Sequence, residues 1–530
     1  MSDPSPKKKQ LFERPHILEA LSLIALFIAM VLFLRSLINV FGIPYGLDFG
    51  EGYLANMSFE MVKGNNPYHS LEHPPWIVSS YPPIYPFVNG FIMALIGPSL
   101  LPGRFISAVS FMGILGGMIA ILRRLNVSLT ISIVAAGLLL VFPWGFRWAQ
   151  VVRVDTLGIF LSILGVFWWI RSEKTSDAVI AAVLMTLAVL TKHSLLAAPL
   201  ACLVHGFISR DRRRVLLLLL LAVLIAGSYS LVNALTGGGL FLHLFNYTAN
   251  AWFPERFTAG LGEYLRATWM LQVTAVSALI IPGVVSDNRR LVGWFWVLSQ
   301  GTLVAYGFEG SDTNYYIEPL MTTALLSAFT FNHLTETSQS DETQSKRILN
   351  ARTFAYATIL LVIILARFMN PVDFKLHRVE NNEMFQNGQW LIRMAHDVPG
   401  DVLSEDASFT FLAGKPVLFQ PYIMSLLSRM DKWDQSEFVA SIQQVEYSMI
   451  VLRVDLSDPY NTESRGGAWE MAGFDRWTDE MENAIMENYE LYGAVDVGAP
   501  ANLWYVYFPK GPGEDPYSDL PSPYTLLHQN

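Results

Sequence analysis

Charge is scarce in this chain and cysteine nearly absent. Asp, Glu, Lys and Arg together make up 15% of the residues, whereas 52% are hydrophobic. Soluble globular domains carry about a quarter charged residues, so the shortage argues against a soluble protein and for a polytopic membrane protein. The single cysteine, Cys202, lies inside an apolar run. That excludes a disulfide framework and a thiolate metal site, and leaves Cys202 as a small buried hydrophobe. The net charge of -9, with basic residues in short clusters between apolar runs, excludes nucleic acid as a partner. No glycine-rich phosphate loop follows a strand, so no nucleotide-sugar site is read, and no tandem repeat is visible.

What is present is a series of apolar runs punctuated by basic clusters. A spanning helix needs about 20 apolar residues, and loops rich in Lys and Arg mark the cytoplasm. Residues 17–41 follow Lys7, Lys8 and Lys9 and are read as a retained anchor running outward from a cytoplasmic N-terminus. Residues 54–62 read as a helix lying on the interface, and 84–97, broken by Gly97-Pro98, as a re-entrant or interfacial piece. Spans then alternate through 105–122, 127–146, 156–170, 178–190, 195–208, 215–235, 269–285, 291–308, 319–331 and 353–369. Arg123 and Arg124, Arg171 and Lys174, Arg210 with Arg212 to Arg214, Arg289 and Arg290, and a polar linker at 335–346 fall on the cytoplasmic side. The expected fold is therefore a polytopic α-helical membrane protein with about eleven transmembrane helices. Its membrane domain covers 1–369, with a large first outer loop at 42–103. From Asn370 onward acidic residues become frequent and apolar runs shrink to strand length, at 401–403, 447–454 and 503–508, with helix-like segments at 384–396 and 481–489. These predict a C-terminal extracytoplasmic α/β domain over 370–530.

On this topology four polar groups converge on the outer face. They are Asp48 and Glu51 in the stretch YGLDFGEGY, Arg153 and Asp155, Lys192 and His193, and Glu309, Asp312, Asn314 and Glu318. Ionisable residues at the ends of membrane segments are functional hypotheses by default. A carboxylate there accepts a proton from a hydroxyl, orients a sugar hydroxyl or holds a divalent cation, and a cation suits a phosphate, with Arg the better bidentate partner. Taken singly, each has a plainer reading. A glycine-rich helix cap accounts for 45–53, headgroup contact for Arg104, and a solvated loop for His69 and His73. Interfacial anchoring accounts for aromatics such as Tyr53, Tyr81 and Tyr315. A divalent cation is compatible with the carboxylates, but no spacing compels a metal site.

The motifs Asp-x-x-Glu-Gly at Asp48 to Gly52, G-x-x-P-Y at 64–68 and YPP-x-Y at 81–85, then Arg153-Val154-Asp155, Thr191-Lys192 and the stretch from Asp312 to Glu318, together resemble the polytopic GT-C glycosyltransferases. That superfamily includes protein O-mannosyltransferases, aminoarabinose transferases and oligosaccharyltransferases, and the chain is most similar to its prokaryotic branch. The resemblance implies transfer of a hexose or pentose from a polyprenyl-phosphate-linked donor to a lipid, glycan or protein acceptor at the outer face, with inversion. It implies Asp48, Glu51 and Asp155 as catalytic carboxylates and Arg153 and Lys192, with His193 beside them, as contacts to donor phosphate. Tyr81, Asp312, Asn314 and Glu318 then remain for substrate binding. Asp-Phe-Gly-Glu stands here in place of the adjacent Asp-Glu of the O-mannosyltransferases, which leaves open which carboxylate is the base. A transporter or flippase of a lipid-linked glycan is the alternative. It requires sites near the midplane and an internal repeat.

Overall fold

The computed structural model describes residues 14–171, 174–209, 212–248, 250–336, 342–368, 382–456, 476–498 and 503–511. The apolar runs form helices because a backbone surrounded by lipid can satisfy its N–H and C=O groups only internally. In chain order, α1 (Arg14–Gly42) leads to α2 (Phe49–Val62) and α3 (Ile84–Ile96), followed by α4 (Leu101–Arg124) and α5 (Leu129–Val141). The short α6 (Pro143–Trp148), α7 (Asp155–Arg171), α8 (Thr175–Val189), α9 (Ala197–Ile208) and α10 (Arg212–Leu235) come next. A single turn, α11 (Gly239–Phe241), precedes α12 (Pro254–Ile280), α13 (Asp287–Gly301), α14 (Ile317–Glu336) and α15 (Glu342–Phe368).

Among the described residues three helices are long and apolar enough to cross a membrane, in α1, α4 and α10. Only 17% of the apolar window of α1 and 11% of that of α10 is buried, against 61% for α4, so α4 is central and the other two are peripheral. Phe27 and Ile38 on α1 and Val223 and Leu231 on α10 point outward. Water would penalise these surfaces and lipid does not, which places the protein in a membrane. The helices α3, α5, α8 and α9 are apolar but shorter. At 1.5 Å per residue, a 13-residue helix such as α5 reaches about 20 Å, less than the roughly 30 Å of a hydrocarbon core.

Several boundaries differ from the expected ones. The run 127–146 is two helices, because Pro143 has no N–H to continue α5. The stretch left between the spans before 269 is helical from Pro254 onward as the first half of α12, where Glu255, Arg256, Glu263 and Arg266 lower the hydropathy without opposing a helix. The run 291–308 stops as α-helix at Gly301 and continues as the 3-10 turn Thr302–Gly307. α15 begins at Glu342, inside the segment expected as a linker. Lys7 to Lys9, Arg210 and residues 369–381 lie outside the described residues.

Among the described residues the C-terminal part is a four-stranded sheet with helices. Its elements are α16 (Asn382–Asp397), β1 (Asp401–Ser404), α17 (Ala407–Leu412), α18 (Pro421–Arg429), α19 (Ser436–Gln443), β2 (Tyr447–Leu452), α20 (Asp479–Asn488), β3 (Tyr489–Asp496) and β4 (Leu503–Pro509). The strand order is β1-β2-β4-β3, with β1 parallel to β2 and the other pairs antiparallel. A parallel pair needs a crossover, and α17 to α19 provide it. This part is not free-standing. One hydrophobic cluster joins Ile43, Tyr45 and Leu47 to Phe409, Met449 and Trp504, and a second places Leu71, Trp76 and Val78 of the first loop among Phe419, Met424 and Phe438. The Trp76 backbone pairs with Leu418 and Gln420 at 2.7 and 3.0 Å. The loop at 42–103 is thus packed into the C-terminal part as well as onto the helices.

Candidate active site

Asp48 ends an extended stretch and caps α2, its Oδ1 accepting from the Gly50 N–H at 3.0 Å. Asp at an N-cap satisfies an otherwise unpaired helix N–H. The same Oδ1 contacts Nη2 of Arg153. Gly50 makes that contact possible, since a Cβ there would lie 2.4 Å from the Arg153 guanidinium carbon. Nη2 of Arg147 lies 3.7 Å from both Asp48 Oδ2 and Asp312 Oδ2, too far for a hydrogen bond to either. The Trp148 ring supports both guanidinium groups, at 4.6 Å from Arg147 and 5.3 Å from Arg153. Arg153 also donates to the Tyr81 hydroxyl at 3.2 Å, while its Nε is buried without a partner. Burial pushes the Asp48 carboxyl up, but Arg153 and Arg147 outweigh it and hold the group below the usual carboxylate range.

Glu51, one turn further on, is in a different situation. It is fully buried, and its two oxygens accept a paired bond from Arg104, both at 2.9 Å. They also take the backbone N–H groups of Leu47 at 2.6 Å and Val152 at 2.8 Å. The rest of Arg104 donates to the carbonyls of Val40, Ile43 and Tyr45. Arg104 therefore points inward, away from any headgroup, and together with Glu51 ties the end of α1 to the start of α2 and to residue 152.

The third group lines a cavity with about 260 Å³ of open space, mouth included, formed where α7, α9 and α14 begin. Lys192 donates to Asp155 Oδ1 at 2.6 Å, and Asn314 donates to the same oxygen at 3.0 Å. Asp155 Oδ2 and Glu318 Oε1 are buried and without partners. Tyr315 covers Lys192, its ring centre 4.1 Å from the ammonium. Lys192, expected to meet phosphate, thus spends its nearest bond on Asp155. His193 turns aside to Phe245, and burial, with Lys192 adding, brings it down to about 4.

The structure therefore brings Asp48, Arg153, Tyr81 and Asp312 together and gathers Asp155, Lys192, Asn314 and Glu318 beside them. Tyr81 lies within electrostatic reach of Arg153, Asp155 and Lys192 and so stands between the two groups. Glu51 and His193 face elsewhere. Glu309 also lies apart, near Tyr422 and Arg256 at the contact with the C-terminal part. Arg147 and Trp148 were not singled out from the sequence. Pro143 carried the signal, because a helix that stops there leaves Arg147 at the same end as Arg153.

The C-terminal part supplies a further unexpected group. Ser408 Oγ accepts from the Gly46 N–H at 2.9 Å, and Asp406 Oδ1 caps α17 through the Ser408 N–H at 2.8 Å. Asp406 Oδ2 is buried without a partner. Burial, with Glu51 and Asp48 adding, pushes the Asp406 carboxyl up to about 7 against the Ser408 hydrogen bonds. The buried histidine of this face is His243, which accepts from the Ser79 N–H at 2.9 Å and donates to the His69 carbonyl at 2.7 Å, pinning the first loop. His73 is exposed and faces Glu437 at 3.1 Å. Among the described residues no three His, Cys, Asp or Glu groups converge to hold a metal. At Asp48 the guanidinium groups occupy the side a cation would need.

No family model and no curated protein sequence matches the chain. Solved structures do match. ArnT from Cupriavidus metallidurans bound to undecaprenyl phosphate aligns with 90% of this chain and 97% of its own, with a TM-score of 0.56 at 13% identity. The archaeal oligosaccharyltransferase AglB from Archaeoglobus fulgidus, in complex with an inhibitory peptide and a dolichol-phosphate, aligns over 91% of this chain and 74% of its own, with a TM-score of 0.54 at 12% identity. The arabinofuranosyltransferase AftD from Mycobacteria aligns over 94% of this chain and 40% of its own, with a TM-score of 0.51 at 15% identity. At these identities the likeness is one of fold alone.

Proposed function

We propose that the protein transfers a sugar from a polyprenyl-phosphate-linked donor to an acceptor hydroxyl at the outer face of the membrane, with inversion at the anomeric carbon. The N-terminus then lies in the cytoplasm and the C-terminal part outside. The observation that carries this reading is the Asp48 cluster: an ionised carboxylate at a helix cap, held by two arginines that retain unused donors, beside a polar cavity. The undecaprenyl phosphate and dolichol-phosphate in the complexes of structural neighbours support a lipid-phosphate donor.

In this mechanism Arg153 and Arg147 take the donor phosphate, for which guanidinium is the better bidentate partner. Phosphate competes with Asp48 for those cations, so donor binding loosens their hold on the carboxylate and raises its proton affinity. That matters because a carboxylate pinned by two cations is a weak base, and general bases work best with a pKa nearer the working pH. The acceptor oxygen then attacks the anomeric carbon, its proton passes to Asp48, and the carbon–oxygen bond to phosphate breaks with the electron pair leaving on phosphate. Lys192 and Asn314 hold Asp155 on the sugar side of the site, and Glu51 acts through Arg104 by fixing the start of α2.

The test is transfer of labelled sugar from undecaprenyl- and dolichol-phosphate-linked donors by the purified full chain. Asp48→Asn keeps the helix cap and loses the base, so transfer per folded molecule should fall by about 10²–10⁴-fold, with some loss of thermal stability from the broken pairing with Arg153. Undiminished transfer by this variant overturns Asp48 as the base, and no transfer by the wild type across the donor panel overturns the function.

A further inference from the structure

The arginines near the start of α2 are held by different means. All five N–H donors of Arg104 are spent, on Glu51 and on three backbone carbonyls. Arg147 makes no side-chain hydrogen bond among the described residues, and its nearest carboxylate oxygens, on Asp48 and Asp312, are both 3.7 Å away. What Arg147 does touch is Trp148, with its guanidinium carbon 4.6 Å from the ring centre. Arg153, bound to Asp48 and Tyr81, lies over the same ring at 5.3 Å. A guanidinium is attracted to an aromatic face by the ring's quadrupole, and a contact of that kind does not consume the N–H donors in its own plane. A ring therefore fixes an arginine without spending the donors that an anion needs.

The ring is itself fixed. Trp148 is 1% exposed, and its indole N–H donates to Thr313 Oγ1 at 3.1 Å, as a buried indole requires. Thr313 opens the 3-10 turn Thr313–Tyr316, and the residues around it are each tied down. Asp312 accepts the Thr313 N–H at 2.6 Å, Asn314 donates to Asp155 at 3.0 Å, and the Tyr315 ring covers Lys192 at 4.1 Å. The hydroxyl that receives the indole thus sits on backbone held from both sides. A platform supported in this way can hold a charged group to the tolerance that binding geometry demands.

We propose that Trp148 is a positioning residue for the donor phosphate, its ring holding Arg147 and Arg153 with donors to spare, and that Thr313 sets the orientation of that ring. The proposal rests on the reading that these arginines take the phosphate, and its test separates the failure of one from the failure of the other.

The experiment measures binding of undecaprenyl phosphate and of undecaprenol, the same lipid without phosphate, to the full chain in phosphatidylcholine nanodiscs. The ratio of the two affinities reads the phosphate alone, whereas a general loss of packing weakens both lipids together. The wild type should prefer the phosphate by roughly 10–100-fold. Trp148→Leu, which removes the ring, should abolish most of that preference, and Thr313→Val, which removes only the acceptor, should lower it by about threefold. Thr313→Ser keeps the hydroxyl and should keep the preference. Trp148→Leu combined with Thr313→Val should be no worse than Trp148→Leu alone, because without the indole the hydroxyl has nothing to receive. Arg147→Gln and Arg153→Gln are the reference. If they lose the preference while Trp148→Leu and Thr313→Val retain it, the positioning role is overturned and the phosphate reading stands. A preference that survives all four substitutions, or is absent from the wild type, overturns both. Equal losses in Thr313→Val and Thr313→Ser overturn the part assigned to the hydroxyl.

Discussion

Two acid–arginine pairs sit one helical turn apart at the start of α2, and they differ in what they leave over. Glu51 and Arg104 form a closed set, in which both carboxylate oxygens and the guanidinium are consumed by each other and by backbone groups. Asp48 and its two arginines form an open one, with an unpartnered Arg153 Nε, an Arg147 held only at 3.7 Å, and Asp312 and Tyr81 at the edge. Residue type does not separate a brace from a reactive group, because both sets are buried carboxylate and guanidinium. Spare bonding capacity does. A closed buried pair has nothing to offer a substrate without first breaking, whereas an open one can exchange partners with a ligand.

The sharpest way to break this contrast is to compare Asp48→Asn with Glu51→Gln in the transfer assay. If the closed pair is a brace, Glu51→Gln should lower transfer per folded molecule by less than about tenfold, against the 10²–10⁴-fold expected for Asp48→Asn. Equal losses in two well-folded variants would place Glu51 in the chemistry. Stability should show the reverse order. Arg104→Met strands a buried carboxylate and should cost on the order of 3–5 kcal/mol, seen as a large fall in the unfolding midpoint, while Asp48→Asn should lower it less, because Arg153 and Arg147 are partly exposed. Adding Glu51→Leu to Arg104→Met should recover part of the loss, but not all, because the Leu47 and Val152 N–H groups would still lack an acceptor.

A smaller effect should appear in the pH profiles. Arg153 and Arg147 hold the free-enzyme Asp48 below the usual carboxylate range, so the acidic limb of kcat/KM should lie at lower pH than that of kcat, where donor phosphate has drawn the arginines away. Arg147→Gln should narrow the separation, and coincident limbs in the wild type would rule out phosphate exchange at Asp48.

The smallest expected change concerns Asp406. Its folded-state carboxyl titrates near 7, against about 3.9 when unfolded, so the folded state holds the proton more tightly. Stability from this group should therefore decline as pH rises from about 4 to 7 and level off above that. Asp406→Asn, which can still cap α17, should flatten this slope in thermal unfolding, and an unchanged slope would assign it to another group.

Much of the helical part was legible because lipid imposes long apolar runs, and the ends of α7, α8 and α9 fall close to those read from hydropathy. Where packing, not lipid, sets the limits, the reading failed. α12 starts among charged residues that hydropathy counts as loop, and β3 was missed because burial along this edge strand does not alternate, with Glu490 and Leu491 both exposed and the register irregular at 491–493. For the site, the sequence singled out Asp48, Arg153, Asp155, Lys192, Asn314 and Glu318 as polar residues at segment ends, and the structure brings them near one another. It did not separate Asp48 from Glu51, since the difference lies in Arg104 and in backbone N–H groups distant along the chain. Nor did it find Asp406, whose place beside Gly46 depends on how the C-terminal part docks.

That docking leaves little latitude at one point. A Cβ on Gly52 would lie 2.2 Å from the Ser408 nitrogen and 2.6 Å from the Ala407 carbonyl carbon, so α2 and α17 meet backbone to backbone with no layer of side chains between them. Such a joint has nothing to slide on and nothing to repack. The C-terminal part and the helix that carries Asp48 are consequently a single heritable module: a chimera that exchanges the C-terminal part with that of a relative should work only if residues 46–52 travel with it.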